Sequence, residues 1–328
     1  MNLVVAGLLS VVSDASVDGT VSPMPDRTFE GKPMSDAVIQ IRGLVKRFGA
    51  LTAVSGVSFD VKRGEIFGIL GPNGAGKTTM LECIEGMQKA DDGTALVLGL
   101  NTMEHPEQVK DRVGVQLQSS AYFERLTLTE ILNLFGQMYS RQIGPEKLLN
   151  LVELSEKAGS VVKVLSGGQK QRFTLAASLV NDPEVVFLDE PTTGLDVTTQ
   201  AHILDLLRDL ASARNMAMVY VSHDLGVIAR VCDRIQVLYA GETVLTGPTR
   251  SVLSHPAHPY ARGLLASIPR LGDSTLPRAL EGRPPGPESA RSGCAFAPRC
   301  AMATAWKHLK VVAEPGGAVA PQGERHIG

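Results

Sequence analysis

The stretch EIFGILGPNGAGKTTMLECIEGM, from Glu65 to Met87, constrains the fold of this chain more than any other segment. Ile66 to Leu70 is a continuous apolar run, the pattern of a strand buried on both faces of a parallel sheet. A glycine-rich turn follows it, and KTTMLECIEGM then reads as a helix. Gly71 to Thr78 fits G-x-x-x-x-G-K-[ST]. Glycines let such a loop curl so that successive N–H groups converge on phosphate oxygens, and the helix start adds partial positive charge. In this pattern Gly71, Pro72, Asn73, Gly74, Ala75, Gly76, Thr78 and Thr79 are candidate phosphate contacts. Lys77 reaches the β- and γ-phosphates, and Thr78 is a candidate Mg²⁺ ligand. An ordinary glycine turn before a helix is the bland alternative, and the strand–loop–helix context argues against it.

Around this unit, apolar runs at VVFLD and AMVYVS read as further buried strands. TTQAHILDLLRDLASAR between them has the spacing of an amphipathic helix, as does much of Leu126 to Lys163. Residues before Glu65 alternate in short runs broken by glycine, the pattern of antiparallel strands. Alternating strands and helices predict a doubly wound α/β core. The texture changes near Gly247, where Pro, Gly and Arg become frequent. The expected division is an extension at 1–36, an ATP-binding unit at 37–247 and an appendage at 248–328 with a disordered end.

Two further motifs carry chemistry. VVFLDE places Asp189 and Glu190 at a strand end, and paired acids on a buried strand imply a use. In a phosphate-loop enzyme Asp189 binds Mg²⁺ and Glu190 orients or deprotonates the attacking water. LSGGQ gives a second anion cradle at a helix start, from Ser166, Gly167, Gly168 and Gln169. One γ-phosphate cannot easily fill two cradles in one chain. A head-to-tail dimer resolves this, with each ATP between the loop of one subunit and the LSGGQ of another.

GPNGAGKT, Gln118, LSGGQ, VVFLDE, TGLD (Thr193 to Asp196) and His223 in VSHD, in this order and spacing, resemble the ATPase subunits of ABC transporters. The resemblance covers about residues 37–247. It implies a P-loop NTPase with a RecA-like α/β core, an antiparallel β subdomain and a helical subdomain, followed here by a Pro/Gly-rich C-terminal appendage. It also implies that Phe48 stacks on adenine and that Gln118 contacts Mg²⁺ or water, with Gln116 a competing assignment. Asp196 would bridge to the partner subunit and His223 would hydrogen-bond the γ-phosphate. The implied partners are membrane-spanning permease subunits, a second ATPase subunit and, for an importer, an extracytoplasmic solute-binding protein.

The tail gives the hint of substrate. AHPYARGLLASIPR (Ala257 to Arg270) and GCAFAPRC (Gly293 to Cys300) resemble the C-terminal region of oligopeptide and dipeptide importer ATPases. That pattern continues with another Cys, where this chain has Lys307. Cys294 and Cys300 alone are a poor cage for zinc or an iron–sulfur cluster, so no metal is expected there. The front half, in GPNGAGKTTMLECIEGMQKADDG and VGVQLQSSAYFERLTLTEIL, looks more like ATPases of drug, lipid or polysaccharide exporters. Peptide import is therefore the leading expectation and export the alternative. A soluble ABC-type ATPase is the third reading, disfavoured by the single cassette.

Composition narrows the remainder. Net charge is −2, which gives no reason to expect nucleic acid. From Arg250 onward, 10 Lys/Arg against 5 Asp/Glu make the tail about +5. Four scattered cysteines fit a reducing compartment. No apolar run approaches the ~20 residues of a bilayer span. The apolar N-terminal run lacks the basic residues of a secretory signal. Met34 looks like a natural start, and the expected location is the cytoplasmic face of a membrane.

Overall fold

The computed structural model describes residues 36–117, 122–267, 280–282, 285, 293–300 and 302. All but the last residue of the expected extension at 1–36, together with Gln118, Lys307 and the last dozen residues, lie outside them. Two sheets organise the chain. In one, β1 (Ala37–Phe48), β2 (Leu51–Lys62), β4 (Asp92–Val97) and β5 (Leu100–Asn101) are antiparallel in the order β2-β1-β4-β5. In the other, β3 (Ile66–Leu70), β6 (Val113–Gln116), β7 (Val185–Asp189), β8 (Ala217–Ser222) and β9 (Arg234–Tyr239) run parallel. β10 (Glu242–Pro248) adds antiparallel to β9, giving the order β10-β9-β3-β8-β7-β6. β3, β7 and β8 are buried at every residue, which explains their unbroken apolar sequences.

The helices follow local signals. α1 (Lys77–Ile84) starts directly from the glycine loop, and α2 (Pro106–Lys110) carries Pro at its first turn. α3 (Leu128–Gly136) begins with a capping box between Thr127 and Glu130. α4 (Pro145–Leu151) is followed by two short 3₁₀ turns, so the helix-patterned region up to Lys163 is less regular than its spacing predicts. α5 (Gly167–Ser178) has a second capping box, Ser166 with Gln169. Asp196 caps α6 (Val197–Arg214), which ends on Asn215 in the left-handed region at φ 49°. α7 (Leu225–Val231), α8 (Thr249–Ser254) and α9 (Pro259–Ala266) complete the set.

Apolar side chains collect on both faces of the parallel sheet. Between the sheets, Ile39, Ile41 and Val57 meet Phe67, Ile69, Phe187 and Val219, with Met80 and Ile84 of α1. Phe59 stacks on Phe67 at 5.0 Å and 8°, joining one sheet to the other. On the opposite face Leu188, Tyr220, Ile235 and Val237 pack with Phe173, Leu204 and Leu207. That second core continues into the tail through Val252, Leu253, Tyr260 and Phe296.

Two stability outcomes follow. Phe187 is fully buried mid-sheet. Phe187→Ala should cost about 3–5 kcal/mol, read as a lower denaturant midpoint at unchanged slope. Glu85, 2% exposed, closes α1, and burial, then Asp189 and Glu82, push its carboxyl from the ordinary 4.5 up to about 8. Folding therefore favours its protonated form, and stability is lost as pH rises through that window. Glu85→Gln should raise the melting temperature at about pH 8.5 and leave it nearly unchanged at about pH 4.5.

Candidate nucleotide site

The Gly71–Gly76 loop leaves the carboxyl end of β3 and turns into α1. Gly74 and Gly76 have φ of 77° and 91°, which L side chains resist. Space forbids a side chain as well. A Cβ on Gly76 would overlap the Ala53 carbonyl, and one on Gly71 would lie 2.7 Å from the Leu238 carbonyl. No side chain caps the start of α1. Its first N–H groups therefore point into a cleft without an intrahelical acceptor, the arrangement that takes an anion. The cleft, about 280 Å³, is lined by Asn73 to Thr79 with Asp189 and Glu190.

The charged groups of the cleft are buried together. Lys77 is 7% exposed; its Nζ donates to the carbonyls of Gly71 at 2.8 Å and Pro72 at 3.2 Å, and lies 3.8 Å from Glu190 Oε1. Burial lowers its pKa, opposed by Glu190 and Asp189. Thr78 Oγ1 donates to Asp189 Oδ2 at 3.0 Å. Burial raises the Asp189 carboxyl despite that bond. Glu190 sits just past β7 at φ 52°, and Thr193 Oγ1 donates to its carboxylate at 2.9 Å. His223, just past β8, lies with Nδ1 2.8 Å from both Glu190 oxygens. A hydrogen bond to a carboxylate requires the proton on Nδ1, which leaves Nε2 of the neutral ring as an acceptor.

The other expected residues lie elsewhere. Ser166 to Gln169 and Asp196 are not part of the cleft lining. They adjoin each other instead: a Cβ on Gly168 would come 2.5 Å from Thr199 Cγ2, and Thr199 N–H donates to Asp196 Oδ1 at 3.0 Å. The Thr199 hydrogen bonds hold the Asp196 carboxyl below its usual range. Phe48 ends β1, 45% exposed, with Lys46 Nζ 5.2 Å from its ring centre. Its hairpin reaches the loop through Ala53. Gln118 is outside the described residues. Gln116 is buried at the end of β6, and neither of its amide atoms has a hydrogen-bond partner.

Three contributions were not read from the sequence. The backbones of Ala53, Leu238 and Gly241 seat the loop, Thr193 holds Glu190, and Glu85 adds a buried carboxyl near Asp189. Of these, Gly241 in YAGE carries a turn signal and Thr193 is a local partner three residues from Glu190; the rest are long-range contacts.

Known proteins resemble this chain in sequence and fold. Residues 54–193 match the ABC transporter family, and residues 245–305 match the oligopeptide/dipeptide transporter C-terminal region. The oligopeptide transport ATP-binding protein OppD of Haemophilus influenzae is 33% identical over 292 residues, covering 81% of this chain and 90% of that protein. A shorter match, 37% identical over 226 residues, joins 67% of the chain to 70% of the Nod factor export ATP-binding protein I of Ralstonia nicotianae. A bacterial ABC transporter cassette solved as a dimer superposes with TM-score 0.59 at 28% identity, over 64% of this chain and 98% of that one. The expected exporter-like front half is not supported. One oligopeptide-transport relative spans four fifths of the chain, front half and tail together. The chain belongs to the ABC transporter ATP-binding subunits, and it is an ABC-type ATPase that carries the oligopeptide/dipeptide transporter C-terminal region.

Proposed function

We propose that the chain powers peptide import from the cytoplasmic face of a membrane, as one of two ATPase subunits bound to permease subunits. The observation that carries this reading is the meeting of both matched regions on one core, through Val252, Tyr260 and Phe296. The names of the relatives matched over most of the chain support the substrate class. An extracytoplasmic solute-binding protein completes the expected complex, and nucleic acid has no part in it. No helix among the described residues is long and apolar enough to cross a membrane.

ATP is the substrate of the cleft. Its phosphates lie along the N–H groups of Gly74 to Thr79, with Lys77 on the β- and γ-phosphates and Phe48 against the adenine. The oxygens of Thr78 and Asp189, 3.0 Å apart, suit a hard cation, and Gln118 is the third candidate ligand. Mg²⁺ held there neutralises charge on the β- and γ-phosphates. Glu190 orients the attacking water and takes its proton. His223 holds the Glu190 carboxylate through Nδ1 and offers the γ-phosphate its other nitrogen, which must then be protonated. The water oxygen bonds to the γ-phosphorus as the bond to the β–γ bridging oxygen breaks, giving ADP and phosphate. Ser166 to Gln169 and Asp196, outside their own cleft, complete the site of a second subunit in a head-to-tail pair.

Steady-state hydrolysis tests the roles. Glu190→Gln should lower kcat by about 10²–10⁴-fold while MgATP still binds. Lys77→Ala should weaken both binding and turnover. Normal turnover by Glu190→Gln would remove Glu190 from the chemistry. Affinity capture of the membrane partners tests direction: an associated solute-binding protein is expected, and a complex that consistently lacks one contradicts import.

A further inference from the structure

The β9–β10 turn that seats the phosphate loop is gripped from behind by the C-terminal region. Tyr239, the last residue of β9, is fully buried. Its ring lies 4.6 Å from that of Tyr260 in α9 and 5.4 Å from that of Phe296, and those two are 5.4 Å apart. Arg299 closes the cluster. Nη1 donates to the Tyr239 hydroxyl at 3.1 Å, Nη2 to the Leu280 carbonyl at 3.0 Å and Nε to the Glu281 carbonyl at 2.8 Å. His258 accepts the Tyr260 N–H at Nδ1, 3.1 Å away, and its Nε2 lies 3.7 Å from Cys294 Sγ. The two parts of the tail, around His258 and around Phe296, therefore meet on Tyr239.

The residues on either side of Tyr239 touch the loop. The Leu238 carbonyl lies against Gly71 at the start of the loop. The Gly241 N–H donates to the Ala75 carbonyl at 3.0 Å near its end, and the Gly241 carbonyl accepts the Ser55 N–H at 2.8 Å. Between them, Ala240 and Gly241 have φ of 52° and 83°, a tight two-residue turn pairing Tyr239 with Glu242. Such a turn has little freedom to absorb a shift of Tyr239, and a close-packed interior passes displacement on.

We propose that Tyr239, Tyr260, Phe296 and Arg299 form a strut that positions the phosphate loop, so that the tail sets the affinity for nucleotide. This rests on the reading of the loop as the ATP site. Releasing the strut loosens Leu238 and Gly241, and with them the inward set of the loop N–H groups. Glu190 and His223 stand past the ends of β7 and β8, three and two strands from β9 in the sheet, so the strut acts on nucleotide binding more than on the attacking water. The four are positioning residues and touch no reacting atom.

The test is calorimetric titration of the full-length chain with MgATP, beside steady-state hydrolysis and hydrogen exchange at the Ala75–Thr78 amides. Phe296→Ala should weaken MgATP binding and raise KM about fivefold or more, keep kcat at saturation, and speed exchange at those amides. Arg299→Ala, which leaves the aromatic rings in place, should act in the same direction and serves if Phe296→Ala does not fold. Folded variants with a lower melting temperature but unchanged KM and exchange would overturn the strut. Wild-type chain that fails to bind MgATP would overturn the site reading and the strut with it. Wild type that binds, with variants binding equally, would overturn the strut alone.

Discussion

The phosphate loop depends on backbone that lies behind it. The carbonyls of Ala53 and Leu238 come so close that Gly76 and Gly71 have no room for a Cβ, and the Gly241 N–H ties the loop at the Ala75 carbonyl. The loop is thus set by both sheets at once: the antiparallel hairpin reaches it through Ala53 and the parallel sheet through Leu238. Positive φ at Gly74 and Gly76 turns the loop N–H groups toward one point. Order in the loop is a property of the assembled core, and the core is what the unbroken apolar strands build.

The electrostatics of the cleft complement this frame. A buried ammonium and two buried carboxylates share it, with Lys77 Nζ 3.8 Å from Glu190 and Asp189 tied to Thr78. Burying such charges is costly unless each finds partners. Here Lys77 takes loop carbonyls, Asp189 a hydroxyl, and Glu190 both Thr193 and His223. A nucleotide triphosphate offers Lys77 opposite charge, and the proposed cation would do the same for Asp189. His223 and Glu190 form one unit, since each fixes the other's orientation.

Much of this was legible in the sequence because it is local. The apolar run before GPNGAGKT, the acids after VVFL, and LSGGQ at a helix start each sit within a few residues and became the predicted elements. What was not legible is what joins distant segments. Glu190 and His223 are 33 residues apart, and nothing in VSHD says that Nδ1 will face a carboxylate. The HPY stretch hinted at substrate by resemblance but said nothing of its place in the fold. Only in the fold does His258 cap α9, and does Tyr260 land on Tyr239 beside the turn that holds the loop. The helical region to Lys163 misled slightly, since apolar spacing continues through 3₁₀ turns where helix does not.

The separation of Ser166–Gln169 from the cleft of the same chain makes pairing the central claim. The most direct measurement is the mass of the hydrolysis-deficient Glu190→Gln chain by light scattering, with and without MgATP. A mass that doubles when MgATP is added, and returns when it is removed, is the expected result. A chain that binds MgATP fully and stays at the mass of one subunit would contradict it.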